Sequence, residues 1–568
     1  MGVVLMLVLG ACGGIPNSSA PQPVSSFVRN GPSNGVPVPR PDMDPEALVR
    51  AFLKATASST NGHAAARRFL SPAASASWDE SGEALILDEI NTFVDERSAD
   101  AVQMRLVGDN VGVLRPDGEL LPATGQVETT LALRRIGNRW RIDGSLPDRV
   151  MIDKSQFEAG YRPVPVYFAD RTRLRLVPDP RWFYGGLDAD ATNLVKTLIN
   201  GPARDLSVGV DTALPDGVAL SGPVTAASGG GVRIDLAGLG DPSVRDRTLL
   251  AAQLIWTLAG ADVAGPYVIS ADGAPLLGDR AAGWQLTDVR TFDPTAAPPS
   301  AVGLNIIRGG ALWKVLDNNA VPVRGSLGSG RRLRAAAISA DGQKVAGVIA
   351  GADPGAPSQL VVGPYGADPV AVADGAAITR PSISPDGDTV TAVVDGRPVQ
   401  IVTDENGARR VTDIDTAGLD AVARGPITEL QIAPDGVRAA LIVSGQVVFA
   451  VLGVNTEGRL TLANARVAAY NIGNRVTSIE WASPMTVMVA RDATDAPVVQ
   501  LSITGTPAAG LLSGNVSPPV STVVATAGTV YIADQRGVLR LGSSNGQADE
   551  YWTEVEPAMI PGTIPVIG

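Results

Sequence analysis

Residues able to do covalent or acid–base chemistry are few in this 568-residue chain: it holds one cysteine and one histidine. Cys12 follows the apolar run of residues 2–9 and precedes the polar stretch Gly13-Gly14-Ile15-Pro16-Asn17-Ser18-Ser19. Small Gly10 and Ala11 stand before it, which suits a signal-peptidase site that a bulky side chain would not enter. His63 falls on an expected helix beside Arg67 and Arg68 and reads as a surface residue, not a catalytic base. A zinc ion needs three or four ligands, which one histidine and one cysteine do not supply. No glycine-rich loop ends in Gly-Lys-Ser/Thr.

Two patterns imitate catalytic or metal sites. Gly542-Ser543-Ser544-Asn545-Gly546 matches Gly-x-Ser-x-Gly, but a hydrolase elbow joins a strand to a helix and presents its serine to a histidine. No helix signal follows, so a hairpin turn is expected there. Asp188-Ala189-Asp190 lacks the fuller oxygen-ligand loop of a calcium site and is expected to cap the helix that follows. No cofactor is expected, and no metal.

The elements that would position any site fall into distinct stretches. Residues 1–11 read as a signal peptide, although no Lys or Arg opens them, which implies a start codon further upstream. Residues 12–43 carry Pro16, Pro21, Pro23, Pro32, Pro37, Pro39 and Pro41 without apolar periodicity and read as a tether. Within it, the proline-rich run of residues 15–42, about 28 residues at ~3.1 Å each, would reach roughly 85 Å. Residues 44–155 open with Asp44-Pro45-Glu46 as a helix start. Helical spacing of Leu48, Val49, Phe52 and Leu53 follows, then a second helix over 63–70, then alternating strands at 101–106, 127–135 and 140–142. Residues 160–293 mix strands near Val166-Tyr167-Phe168, 174–178 and 231–236 with helices over 191–199 and 247–258. Tyr167, Phe168 and Trp256 read as core aromatics before they read as a carbohydrate platform.

After the prolines of 292–300 the pattern is strands only. Turns recur at Asp341-Gly342, Asp386-Gly387 and Asp435-Gly436, their glycines 45 and 49 residues apart. That period, with a tight turn between two strands, predicts a β-propeller over 301–568. Five blades are visible, and a sixth is expected from residues 303–315 pairing with strands near residue 568. The repetition of the Asp-Gly turns assigns them to the scaffold. Composition agrees with a folded body: 45% hydrophobic, 18% charged. A net charge of −12 without charged runs argues against nucleic acid, and no window after the first residues approaches the ~20 apolar residues of a membrane span.

The Leu9-Gly10-Ala11-Cys12 run resembles the lipobox of bacterial lipoproteins. The resemblance implies cleavage between Ala11 and Cys12, with S-diacylglycerol and an N-acyl chain (palmitate) on Cys12. Residues 44–155 are similar to nuclear-transport-factor-2-like (cystatin-like) α+β domains. Residues 160–293 resemble a GerMN domain, an α+β module with no known catalytic residues. The turns of 301–568 resemble those of TolB-like propellers. Taken end to end, with residues 44–55, Ala251-Ala252-Gln253-Leu254-Ile255-Trp256-Thr257-Leu258 and Gly265-Pro266-Tyr267-Val268-Ile269 especially close, the chain resembles the actinobacterial LpqB lipoprotein family. That resemblance implies a protein held by lipid to the outer face of the cell membrane. It further implies an accessory factor or modulator of a two-component sensor histidine kinase (MtrB-like), bound through the kinase's extracytoplasmic domain, in cell-envelope and division homeostasis. It implies no enzymatic activity. The other reading is an envelope glycan-binding protein or glycosidase using the propeller funnel. Facing carboxylates there would favour it, because paired carboxylates alone cleave glycosidic bonds.

Overall fold

The computed structural model describes residues 36–185, 191–295, 300–404, 407–526, 528–544 and 547–568. The first unit begins as its sequence dictates. Asp44 accepts from the Ala47 amide at 2.7 Å, Pro45 takes the first helical position, and helix Pro45–Ala55 buries Leu48, Val49, Phe52 and Leu53. The helix packs on a sheet ordered Arg139–Asp143, Gln126–Ile136, Ala101–Leu114, Ala84–Arg97, Val150–Asp153, whose last pair is parallel.

His63 is not on a helix surface. Asn61, Gly62 and His63 turn in the left-handed region, and regular helix resumes only after them. His63 is 8% exposed with its ring 5.8 Å from that of Trp78. Burial lowers its pKa below the ordinary value, ahead of the opposing influence of the Thr56 backbone and Glu80. The reading of His63 as a surface helix residue failed because short polar Asn and Gly beside it tolerate a positive φ, and the helix over Thr60–Arg67 is irregular there.

The second unit is built on an antiparallel ribbon, Tyr161–Asp170 with Leu176–Tyr184. Helices Ala191–Ile199 and Val244–Ala259 pack with a parallel pair, Val232–Ala237 and Tyr267–Ala271. The ribbon belongs to two cores. Val164, Val166 and Phe168 lie in the core of the second unit, whereas Tyr161 and Trp182 lie in that of the first. Tyr167 and Phe168 are core residues, and Trp256 is half-buried with its indole N–H donating to the Val289 carbonyl at 3.3 Å.

Six four-stranded sheets follow among the described residues. Blade one consists of Asn305–Arg308, Ala311–Leu316, Asn319–Pro322 and the closing strand Ile564–Val566, which pairs antiparallel with Asn305–Arg308. Blades two to six start with inner strands Leu333–Ile338, Ser382–Ile383, Ile427–Ile432, Val476–Ser483 and Thr522–Thr526. The chain thus closes its own ring and leaves no open sheet edge between first and last blades. Ser543–Ser544 pairs with Gln547–Ala548 as a small ribbon, and no α-helix follows it among the described residues. Among the described residues no helix is long and apolar enough to cross a membrane.

Candidate functional site

Two places gather charge in this molecule: the propeller channel and the junction of the three units. The channel is a cavity of about 180 Å³ lined by inner-strand residues of several blades, among them Ile338, Ser382, Ile432, Trp481 and Val524. Arg380 enters it and bridges two carboxylates. Its Nη1 donates to Glu480 at 2.9 Å, its Nε to Glu429 at 2.9 Å, and its Nη2 to Glu429 and to the Ile479 carbonyl at 2.6 Å. Glu429 is 8% and Glu480 20% exposed at the side chain. Burial works against the Arg380 charge, but the two carboxylates outweigh it and hold its pKa above the ordinary value. Burial pushes the Glu480 carboxyl up, Arg380 opposes this, and Glu429 adds to it.

A glycosidase needs one carboxyl free to protonate and another free to attack or to activate water. Here one guanidinium engages both, so the pair is an internal clamp across blades three, four and five. Sequence reasoning missed it, although a signal was present. Arg380 and Glu429 each stand seven residues before their turn glycines, Gly387 and Gly436, so opposite charges occupy one repeat position. Glu480 has no such signal, since a register shift between Trp481 and Ser483 displaces its strand from the repeat.

The junction is organised by the strand Leu176–Tyr184, which is buried along most of its length. Arg181, 1% exposed, donates to Asp179 at 2.7 Å and to the Asp117 carbonyl of the first unit at 2.7 Å. Asp179 also accepts from the Ala203 amide at 2.7 Å. The neighbouring Trp182 donates its indole N–H to Thr504 of the propeller at 2.9 Å. Arg438 of blade four donates back to the Pro178 carbonyl at 2.5 Å and to Asp435 at 2.8 Å. One strand therefore holds three units at once. Arg115 adds a tie, meeting Glu119 at 2.6 Å and Asp205 of the second unit at 3.4 Å.

The Asp-Gly turns do more than the scaffold duty expected of them. In each, the aspartate folds back on its own loop: Asp341 accepts from Gln343 at 3.0 Å, Asp386 from Asp388 at 3.1 Å, and Asp435 from Val437 at 2.8 Å. Two copies also dock the second unit. Asp386 pairs with Arg175 at 3.5 Å, and Asp435 holds the Arg438 that reaches Pro178. Beside these turns a cleft of about 460 Å³ opens between the second unit and the propeller, walled by Tyr167, Phe292, Pro385, Pro434 and Met485. Pro385, Pro434 and Ala482 also line the channel, so cleft and channel share a rim.

The sequence-predicted acylation and cleavage residues, Cys12 and Ala11, lie outside the described residues, as do Asp188 and Asp190. Among the described residues no group of three or more His, Cys, Asp or Glu side chains is arranged to hold a metal ion.

Two α+β units and a self-closed propeller, joined through one shared strand, define a multidomain protein. The three units match three known families in the same order. Residues 38–158 match the N-terminal domain of Lipoprotein LpqB, residues 165–277 the Germane family of sporulation and spore germination, and residues 310–568 the Lipoprotein LpqB beta-propeller domain. Lipoprotein LpqB of Rhodococcus jostii is 38% identical over 100% of this chain and 96% of its own. That of Mycolicibacterium smegmatis is 39% identical over 100% of this chain and 98% of its own. The chain belongs to the LpqB lipoprotein family. Among solved structures, the β-propeller domain of the Trilobed protease from Pyrococcus furiosus is 12% identical with a TM-score of 0.26, covering 39% of this chain and 85% of that one, a likeness too slight to carry an argument.

Proposed function

We propose that this chain is a lipid-anchored extracytoplasmic protein that modulates a sensor histidine kinase through the kinase's extracytoplasmic domain, and that it is not an enzyme. The anchor is Cys12, acylated after cleavage behind Ala11. The observation that carries the reading is the junction built on Leu176–Tyr184, which ties three units into one body. Such a body suits recognition of another protein. Membership of a family whose relatives bear the name lipoprotein along their whole length supports the anchor. The Arg380 clamp on Glu429 and Glu480 counts against a hydrolytic funnel.

Confinement of both partners to one membrane face raises their effective concentration, so a modest interface suffices. The test is a titration of the unlipidated protein against the purified sensor domain, read together with kinase autophosphorylation. Binding in the micromolar range with altered autophosphorylation supports the reading. Absence of binding at high micromolar concentration, with cleavage of wall glycans lost in Glu480→Gln, rejects it and favours the funnel enzyme, for which the exposed fifth of Glu480 is the one favourable feature. In cells, Cys12→Ala should move the protein out of the membrane fraction and abolish fatty-acid labelling. Persistence of both refutes the anchor.

A further inference from the structure

A second groove, remote from the channel, lies where the first unit meets blade five. Its volume is about 470 Å³, and its walls are residues 109–111 and 122–126 on one side and residues 469–471 and 505–507 on the other. Both walls are fixed by bonds that leave several groove-lining polar side chains unused. The Asn110 amide donates to the Gly125 carbonyl at 2.8 Å. Across the groove, Asn471 and Ala508 exchange two hydrogen bonds at 3.3 Å. Beneath them Gly505, at φ +84°, lets the Leu120 carbonyl approach so closely that a Cβ there would stand 2.2 Å from it.

On this fixed frame four polar side chains are uncommitted. Asp109, Thr124, Gln126 and the Tyr470 hydroxyl make no hydrogen bond or ion pair with the described residues. Tyr470 is 46% exposed. No Lys or Arg lines the groove, so it offers nothing to a phosphate or carboxylate. An exposed aromatic face, an amide, a carboxylate and a hydroxyl in a cleft of several hundred Å³ between domains meet the needs of a polyhydroxylated neutral ligand. The ring takes a sugar's C–H face, Gln126 donates to and accepts from hydroxyls, and Asp109 accepts from them.

We propose that this groove binds a short stretch of neutral glycan, with Tyr470 as the platform and Asp109 and Gln126 as the hydroxyl partners. The inference is independent of the kinase reading, since it uses none of the junction or channel residues.

The test uses the full chain carrying Cys12→Ala, titrated with maltotetraose, cellotetraose, galactotetraose and mannotetraose by calorimetry and saturation-transfer NMR. At least one sugar should bind in the millimolar range or tighter. Tyr470→Ala should weaken it by roughly tenfold, Tyr470→Phe by no more than about threefold, and Gln126→Ala and Asp109→Asn by about three- to tenfold. Tyr551→Ala, which removes a 68%-exposed aromatic outside the groove, should leave affinity unchanged. Matching circular dichroism spectra keep the variants comparable. Two sources of such a glycan separate in sedimentation: capture by insoluble wall polysaccharide assigns the wall, capture by vesicles bearing a neutral glycolipid assigns a headgroup. No binding of any of the four sugars at about 20 mM, or binding indifferent to Tyr470→Ala, overturns the proposal. Preferential binding of a peptide that Tyr470→Ala abolishes overturns it in favour of a protein ligand.

Discussion

At the domain junction Arg181 spans from Asp179 in its own strand to Asp117 in another unit, while in the channel Arg380 spans Glu429 and Glu480 without leaving the propeller. Arg181 is buried and Arg380 nearly so, each between two acidic residues. The difference lies in what their removal would release. Taking charges out of water costs several kcal/mol per ion, recovered only if every partner stays in place. At the junction those partners belong to different units, so the same chemistry that ties three blades together in one place ties separate domains together in the other. Buried charge here acts as a geometric constraint more than as a source of net stability.

The comparison breaks most sharply at Arg181. Arg181→Ala leaves Asp179 buried with only the Ala203 amide, and should cost roughly 3–5 kcal/mol. Calorimetry should then resolve the units into separate transitions where the parent shows coupled unfolding. One unaltered transition would mean that the junction is not the link between them.

Arg380→Met tests the other half. It strands Glu429 and Glu480, and because Glu480 keeps a fifth of its side-chain surface in solvent the loss should fall near the lower end, about 3 kcal/mol. The effect should stay within the propeller: resistance to proteolysis between the units should match the parent. Adding Glu429→Gln and Glu480→Gln removes the stranded charges and should recover most of the loss in denaturant titrations. If the triple variant is no better than the single, the clamp is not a charge-compensated unit.

The sequence exposed these two assemblies unequally. Periodicity revealed the blades because a propeller repeats one supersecondary unit, and the 45- and 49-residue spacing of turn glycines is the direct imprint of that unit. Helix Ala191–Ile199 was legible for the same local reason, its apolar stripe buried as Leu194, Val195 and Leu198. The strand Leu176–Tyr184 was not fully legible. Pro178-Asp179-Pro180-Arg181 looks like a polar loop, and only contacts 64 and 260 residues away make it a buried strand. His63 misled by its neighbours, since Arg67 and Arg68 suggest a wet helix while the ring turns inward onto Trp78. The channel pair stood in register and was readable in principle, but a charge in an apolar strand announces a partner without naming it.

A smaller effect distinguishes the seam between the first unit and the propeller from both clamps, because it depends on backbone fit and not on charge. Gly505→Ala places a Cβ against the Leu120 carbonyl at a positive φ, so the seam must open slightly, at a cost of about 1–3 kcal/mol. Trp182, whose indole donates to the adjacent Thr504, should report this as a red-shifted emission in the folded state. An unshifted spectrum in Gly505→Ala would place the load of this seam elsewhere.

The smallest effect concerns a buried group that neither clamp compensates. Burial against Trp78 holds the His63 pKa below 6.5, although the Thr56 backbone and Glu80 pull upward and Arg67 adds to the lowering. The folded protein therefore takes up this proton less readily than the unfolded chain. The neutral imidazole supports the fold fully above about pH 6.5, and the contribution is lost as pH falls from there through the folded value. Asparagine tolerates the left-handed backbone at this position, where His63 has φ +53°, and does not titrate. Comparing His63→Asn with the parent between about pH 7.5 and pH 5 cancels the carboxylates common to both, including Glu480, whose raised pKa favours the fold in the opposite direction as pH falls. The parent's melting temperature should drop relative to the variant's as the solution is acidified, and the difference should be steady above pH 7. Parallel curves across the whole range would show that His63 meets acid in the folded state as easily as in the unfolded one, and that its burial is relieved by water or a partner on its free Nδ1.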